Sequence, residues 1–189
     1  MLALHLRGDA FSQEEKARDF AYYEPLTVRD SSLSACTQAV IAAEVGQLEL
    51  AYDYFGEAAL IDLDNLEHNT RDGLHIASLA GAWIVAVAGF GGMRDHHGLL
   101  TFAPRLPERL SRLAFGLCFR GRRLKVEVEP QQARYSLVEG APLEITHHNE
   151  TVPVTMDTTV APPIPAPQAP EAHTPPPRSA PATRAPRDC

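Results

Sequence analysis

Apolar and small residues run without a polar face from Leu74 to Ala88 (L-H-I-A-S-L-A-G-A-W-I-V-A-V-A). A helix that is apolar all round has no solvent side, so the pattern predicts a helix buried inside the fold. At about 15 residues, interrupted by Gly81, it falls short of the about 20 that a membrane span needs. Asp72 and Gly73 supply N-cap chemistry before it, and Gly89, Gly91 and Gly92 supply its stop. His75 is the one polar tip on this stretch. It falls in the first turn, where free N–H groups and the helix dipole favour an anion.

The elements on either side follow from local signals. Met1–Leu6 has the pattern of a last helical turn. Ser12 with Glu15 forms a capping box that predicts a helix from Gln13 to about Tyr22, and Pro25 stops it. The polar loop Y-Y-E-P-L-T-V-R-D-S-S-L-S, residues 22–34, leads into a helix for which Asp30, Ser31 and Ser32 are all competent caps. That helix runs to Gly46, and a third follows from about Leu48 to Ala59. After Gly92 the period changes from helix to strand. Leu113–Phe119 and Leu124–Val128 flank a hairpin turn at Arg120-Gly121-Arg122-Arg123, and the second alternates apolar with charged. Residues 133–138, 143–146 and 152–156 continue the series.

Three regions result. Residues 1–92 are helical, 93–158 form a small antiparallel β module, and 159–189 carry most of the 16 prolines. The last region lacks a large apolar cluster, so it is expected to be disordered or polyproline-like. The hydrophobic share of 44% is enough for a core. A net charge of −7 argues against nucleic acid or an anionic membrane as partner. Cys36, Cys118 and Cys189 are odd in number and far apart, which reads as reduced thiols. With no signal-peptide pattern at the start, a cytoplasmic protein is expected.

Four blocks taken together are more specific than any one of them. Y-Y-E-P-L-T-V-R-D-S-S-L-S, D-L-D-N-L-E-H-N-T-R-D-G-L-H-I-A-S-L-A-G-A-W, G-F-G-G-M-R and L-T-F-A-P-R-L-P occur in the order of glycoside hydrolase family 65. The chain resembles the C-terminal third of that family, which holds maltose, trehalose and kojibiose phosphorylases with some hydrolases. The resemblance covers about residues 1–155. It implies an α+β multidomain chain: the closing helices of an (α/α)6 barrel, then a small antiparallel β-sandwich, then the Pro-rich tail. It also implies a disaccharide substrate and inorganic phosphate as co-substrate, with no other cofactor. In the family a glutamate general acid protonates the glycosidic oxygen while phosphate attacks the anomeric carbon with inversion. That glutamate, and a Lys-Gln pair that helps bind phosphate, lie upstream of the matched segments. The chain is therefore expected to be a C-terminal fragment that lacks the general acid.

Ser31, Ser32 and His75 match the family's anion pocket, where hydroxyls, N–H groups and a partly protonated histidine orient the oxygens of phosphate. The plainer alternative is that the serines only cap a helix and His75 bonds a neighbouring loop. The resemblance favours the pocket. Glu24 and Asp30 are weak candidates for the base of a hydrolase; the alternative makes Glu24 a loop-fixing residue and Asp30 a cap. Arg29 stands where the family's phosphorylases often carry histidine, and an arginine can still hold phosphate. No metal ligand set is predicted: His96-His97 and His147-His148 lack carboxylate or cysteine partners at ligand spacing and read as turn residues. Arg120, Arg122 and Arg123 read as a solvated hairpin tip, and Trp83 as core. Three functions fit this reading: part of a disaccharide phosphorylase or hydrolase, an inactive remnant that binds sugar or a partner, or a complement to a separate N-terminal polypeptide or a homo-oligomer.

Overall fold

Helix α2, Gln13–Tyr23, starts where its capping box demands. Ser12 Oγ accepts from the Glu15 N–H at 3.2 Å, and the Glu15 carboxylate accepts from the Ser12 N–H at 2.8 Å. The computed structural model describes residues 1–27, 31, 33–65 and 70–166. Before α2 comes the short helix α1, Leu2–Leu6, and after it a tight turn at Glu24–Leu26.

Helix α3, Ser34–Glu44, is the buried centre of the helical region. Ala39, Val40, Ile41, Ala42 and Ala43 are all shielded from solvent. Its end is closed by Gly46 at φ +86°, with the Gln47 N–H returning to the Ala42 carbonyl at 2.8 Å. Helix α4, Leu48–Leu60, turns back and buries Ala51, Tyr54 and Ala58 against α3.

Helix α5, Ile76–Ile84, departs from the pattern-based expectation. It buries Ser78 and Gly81 but leaves Ile76 and Trp83 66% and 55% exposed, with Leu74 just before it 61% exposed. Trp83 is thus not a core residue. Residues 74–84 have neighbours on one side only among the described residues, so the most buried helix is α3 instead. The end of α5 also differs. Val85–Phe90 widens into a π-helical turn, with the Gly91 N–H bonded to the Ala86 carbonyl at 2.8 Å. Gly89 lies against α3 here, where a Cβ would come into ordinary contact with Val40 and Ala43.

Those contacts fix the direction of the helices. Gly81 lies against Cys36 and Gly89 against Val40 and Ala43, so α3 and α5 run parallel. Helix α4 runs antiparallel to both, and the buried Ser78 hydroxyl donates to the Ala58 carbonyl near its end, at 3.0 Å. A Cβ at Gly81 would sit 2.6 Å from Cys36 Sγ. Gly81→Ala should therefore push α3 and α5 apart and destabilise by about 1–3 kcal/mol. Chemical denaturation measures this, and Cys36→Gly in the same chain should recover part of the loss. No helix among the described residues is long and apolar enough to cross a membrane.

The β module is a two-sheet sandwich. One sheet has the order β1 (Met93–Arg94), β2 (Thr101–Phe102), β6 (Leu143–His147), β7 (Glu150–Val154). The other has the order β3 (Leu113–Phe119), β4 (Arg122–Glu129), β5 (Gln132–Glu139). Alternate residues point inward from both, with Leu124, Val126, Val128, Tyr135, Ile145, Val152 and Val154 in one core. The module is not purely antiparallel: β2 pairs β6 in parallel, Thr101 opposite Thr146. The three strands between β2 and β6 in the chain, β3, β4 and β5, form the other sheet, so β6 meets β2 only after that excursion.

The pairing also outlasts the expected boundary at 158. Val160 exchanges backbone hydrogen bonds with Tyr135, Pro162 O accepts from Ala133 and the Ile164 N–H donates to Gln131 O. Residues 160–164 thus lie along β5 as an extension of the sandwich. His147 anchors them. It is only 2% exposed, its Nδ1 accepts from the Tyr135 hydroxyl at 2.8 Å, and its Nε2 donates to Pro163 O at 3.0 Å. His147 is therefore a buried strand residue, whereas His148 sits in the following turn at φ +44°. Burial favours the neutral imidazole and lowers the His147 pKa. The expectation of disorder covered residues 159–189; it does not hold for 160–164, and residues 167–189 lie outside the described residues.

Two structures join the helices to the sandwich. Gly92, at φ +60°, accepts from the Ala103 N–H at 3.1 Å, and its Cα faces the Ala103 carbonyl with no room for a side chain. The second is a cationic clamp on the ends of the helices. Arg105 donates to the Ala43 and Glu44 carbonyls, and Arg94 to the Ala88 carbonyl, where free carbonyls and the dipole favour cations. The Glu44 carboxylate sits among them, 2.6 Å from Lys16 Nζ and 2.9 Å from Arg94 Nη2.

Candidate functional site

The parallel run of α3 and α5 brings both helix starts to one end of the layer, opposite the cationic clamp. Ser31 precedes one start and His75 opens the other. Neither arrangement is quite the predicted one. The cap position of α3 is Leu33, and Ser31 lies a turn ahead of it, its carbonyl accepting from the Ser34 N–H at 2.9 Å. Among the described residues the exposed Ser31 hydroxyl accepts only a long 3.4 Å contact from the Leu33 N–H, which leaves it able to bind elsewhere. Asp30, Ser32 and Arg29 lie outside the described residues.

His75 is itself the N-cap residue of α5, three positions later than Asp72-Gly73 suggested, because residues 70–72 close a separate 3-10 turn. The N–H groups of Ile76 and Ser78 are already taken by the Leu74 and His75 carbonyls. Capacity for an anion at this helix start therefore rests on the imidazole more than on the backbone.

The imidazole is held from behind. Asp62, just beyond the C-cap of α4, receives His75 Nδ1 on one oxygen at 2.7 Å and the His75 backbone N–H on the other at 2.8 Å. Both side chains are largely buried, Asp62 at 8% exposure and His75 at 19%. The hydrogen bond from the His75 ring, aided by that from its N–H, holds the Asp62 carboxyl below the usual carboxylate range against the opposing effect of burial. Asp62 was not singled out from sequence, where it reads as one acid among several in a polar connection. No local signal marks it, since Asp64, Glu67 and Asp72 all lie nearer to His75 in the chain.

Glu24, the candidate base that falls among the described residues, accepts a short hydrogen bond from the hydroxyl of Tyr54. Tyr54 is 2% exposed, so the bond ties the 24–26 turn to α4 and gives Glu24 a positional role. His96 and His97 fall in a short turn beside Asp9, with His97 Nε2 at 3.1 Å from that carboxylate. Among the described residues no group of three or more His, Cys, Asp or Glu side chains could hold a metal ion. At the β3–β4 hairpin Arg120 and Gly121 take positive φ, and Arg122 donates to the Ala141 and Arg120 carbonyls. That basic tip is spent within the module.

Comparison with known proteins matches both regions. Residues 1–84 fit the model of the glycosyl hydrolase family 65 central catalytic domain, and residues 93–154 that of the family 65 C-terminal domain. An uncharacterised glycosyl hydrolase of Mycobacterium leprae is 57% identical over 146 residues, covering 77% of this chain and 18% of that protein. Maltose phosphorylase of Bacillus subtilis is 40% identical over 149 residues, covering 79% of this chain and 20% of its own. A solved structure assigned to a kojibiose phosphorylase from the human microbiome superposes with a TM-score of 0.81 at 28% identity, covering 87% of this chain and 24% of that one. The chain thus spans about a fifth of the length of the curated relatives it matches. With both of its regions matched in the family's order, the chain belongs to glycosyl hydrolase family 65.

Proposed function

We propose that this chain forms the phosphate-side wall and the C-terminal β module of an inverting phosphorylase acting on an α-glucosidic disaccharide. One observation carries the reading. The parallel α3 and α5 present Ser31 and His75 at one end of the layer, and the His75 ring is braced by Asp62 with Nε2 left without a partner among the described residues. Relatives named as maltose, trehalose and kojibiose phosphorylases support phosphate as the second substrate. The acid that would protonate the leaving oxygen belongs to the family's upstream segments. Turnover is therefore expected only when the rest of the barrel is supplied, on the same polypeptide or by a complementing one. The open apolar face of α5, with Ile76, Leu79 and Trp83, is where that remainder would pack. A cytoplasmic setting is part of the same proposal.

The test is a chimera in which residues 1–154 replace the matching C-terminal fifth of the Bacillus subtilis maltose phosphorylase, assayed with phosphate from zero to saturation. Expected is phosphate-dependent sugar phosphate release. His75→Ala should raise KM for phosphate about 10- to 100-fold through loss of a charge-assisted contact, and Ser31→Ala about 2- to 10-fold. Sugar release independent of phosphate, with Glu24→Gln or Asp30→Asn as the crippling change, would overturn the phosphorylase reading.

A further inference from the structure

Resting on that reading of His75, we infer that Asp62 is a positioning residue. It fixes the proton of the neutral His75 ring on Nδ1 and so reserves Nε2 for proton exchange with the bound oxyanion. Both carboxylate oxygens of Asp62 are committed to His75, Oδ1 to ring Nδ1 at 2.7 Å and Oδ2 to the backbone N–H at 2.8 Å. An ionised carboxylate can only accept, so Nδ1 must carry a hydrogen whatever the charge of the ring. The far nitrogen, Nε2, has no partner among the described residues, and the ring is not used to cap its own helix. The ring is held by one bond to this carboxylate, whose other oxygen is fixed by the His75 backbone N–H, the kind of second partner that orients a histidine in other sites.

This assignment has a chemical consequence. A neutral ring presents a lone pair at Nε2 and accepts from the O–H of monoprotonated or diprotonated phosphate. When the proton crosses from H2PO4− to Nε2, the O–H bond breaks, the Nε2–H bond forms, and HPO4 2− faces an imidazolium. The same contact then holds the more nucleophilic anion with an N–H donor. Asparagine at position 62 cannot reproduce it. Its single carbonyl oxygen must meet the fixed His75 N–H, which turns the NH2 group toward Nδ1. Nδ1 is then forced to accept, and the neutral ring carries its proton on Nε2, the wrong tautomer for taking a proton from phosphate.

The test begins with the 189-residue chain labelled with 15N-histidine, observed by two-bond 15N–1H NMR at a pH where the ring is neutral. His75 is expected as the Nδ1–H tautomer, and Asp62→Asn should convert it to Nε2–H. An Nε2–H ring in the unmodified chain would overturn the proposal even if the variant fails to fold. In the chimera, with inorganic phosphate as probe, Asp62→Asn should raise KM for phosphate about 10-fold and leave KM for the disaccharide unchanged. If His75→Ala does not affect phosphate use, the phosphate reading itself fails. If His75→Ala does and Asp62→Asn changes neither tautomer nor KM, only the role given to Asp62 fails.

Discussion

Replacing Glu44 by alanine is expected to destabilise the chain by about 3–5 kcal/mol, a large part of what a domain of this size has. The carboxylate stands between Lys16 at 2.6 Å and Arg94 at 2.9 Å, with both cations largely shielded from water. Removing it leaves the Lys16 and Arg94 cations, with Arg105 beside them, facing one another without this counter-charge, and the helix carbonyls receive only the two arginines. The effect carries a pH signature. Burial by itself would raise the Glu44 pKa; the Arg94 charge and the hydrogen bond from Lys16 outweigh it and hold the group below the ordinary glutamate range. A folded-state value below the unfolded one stabilises above the ordinary range and loses that contribution as pH falls through the folded value. Denaturation midpoints of the unmodified chain should therefore drop as the solution is acidified below that range. Glu44→Gln, already neutral, should lack this share of the drop. Equal acid sensitivity in the two proteins would show that the clamp does not depend on the carboxylate's charge.

Gly92→Ala should cost about 2–5 kcal/mol. The left-handed backbone at φ +60° accounts for about 1–2 of this in any residue with a Cβ. The remainder comes from crowding, since the new methyl would lie 2.1 Å from the Ala103 carbonyl oxygen, which cannot swing aside as a side chain could. Gly46 is the control. At φ +86° it carries the same kind of backbone strain with nothing within 4 Å of its would-be Cβ. Chemical denaturation of both alanine variants separates strain from clash. If they lose equal stability, the junction between the helices and the sandwich is looser than its geometry indicates.

Local chemistry was legible in the sequence. The capping box at Ser12, the glycine closing α3 and the alternation of β4 each carry their signal within a few residues, and the structure has them at those positions. What could not be read depends on partners distant in the chain. The composition of residues 74–88 says that the segment tolerates burial, but only the neighbours it meets decide where: Val85, Val87 and Ala88 are buried, while Leu74, Ile76 and Trp83 stay open. The Asp62–His75 pair spans a polar connection whose path no periodicity encodes. The Glu44 clamp gathers Lys16, Arg94 and Arg105 from three separate regions, and its trace in the sequence is a glutamate at the end of a mostly apolar helix. His147 was misread because turn residues and the last residue of a strand look alike until the strand has a partner.

The proline-rich piece laid along β5 has a bearing on solubility. Without it, β5 would end its sheet with a row of free N–H and C=O groups, a template on which another chain can grow. Residues 161–163 are Ala-Pro-Pro, so only Ala161 among them has an N–H to offer outward, while the carbonyls of Pro162 and Pro163 are already engaged by Ala133 and His147. A strand of this make-up completes the sheet on its inner side and gives a newcomer almost nothing to hold on the outer one. The same prolines that make the sequence look unstructured act here as the selvedge of the fabric, the woven border that stops it from being joined to another piece.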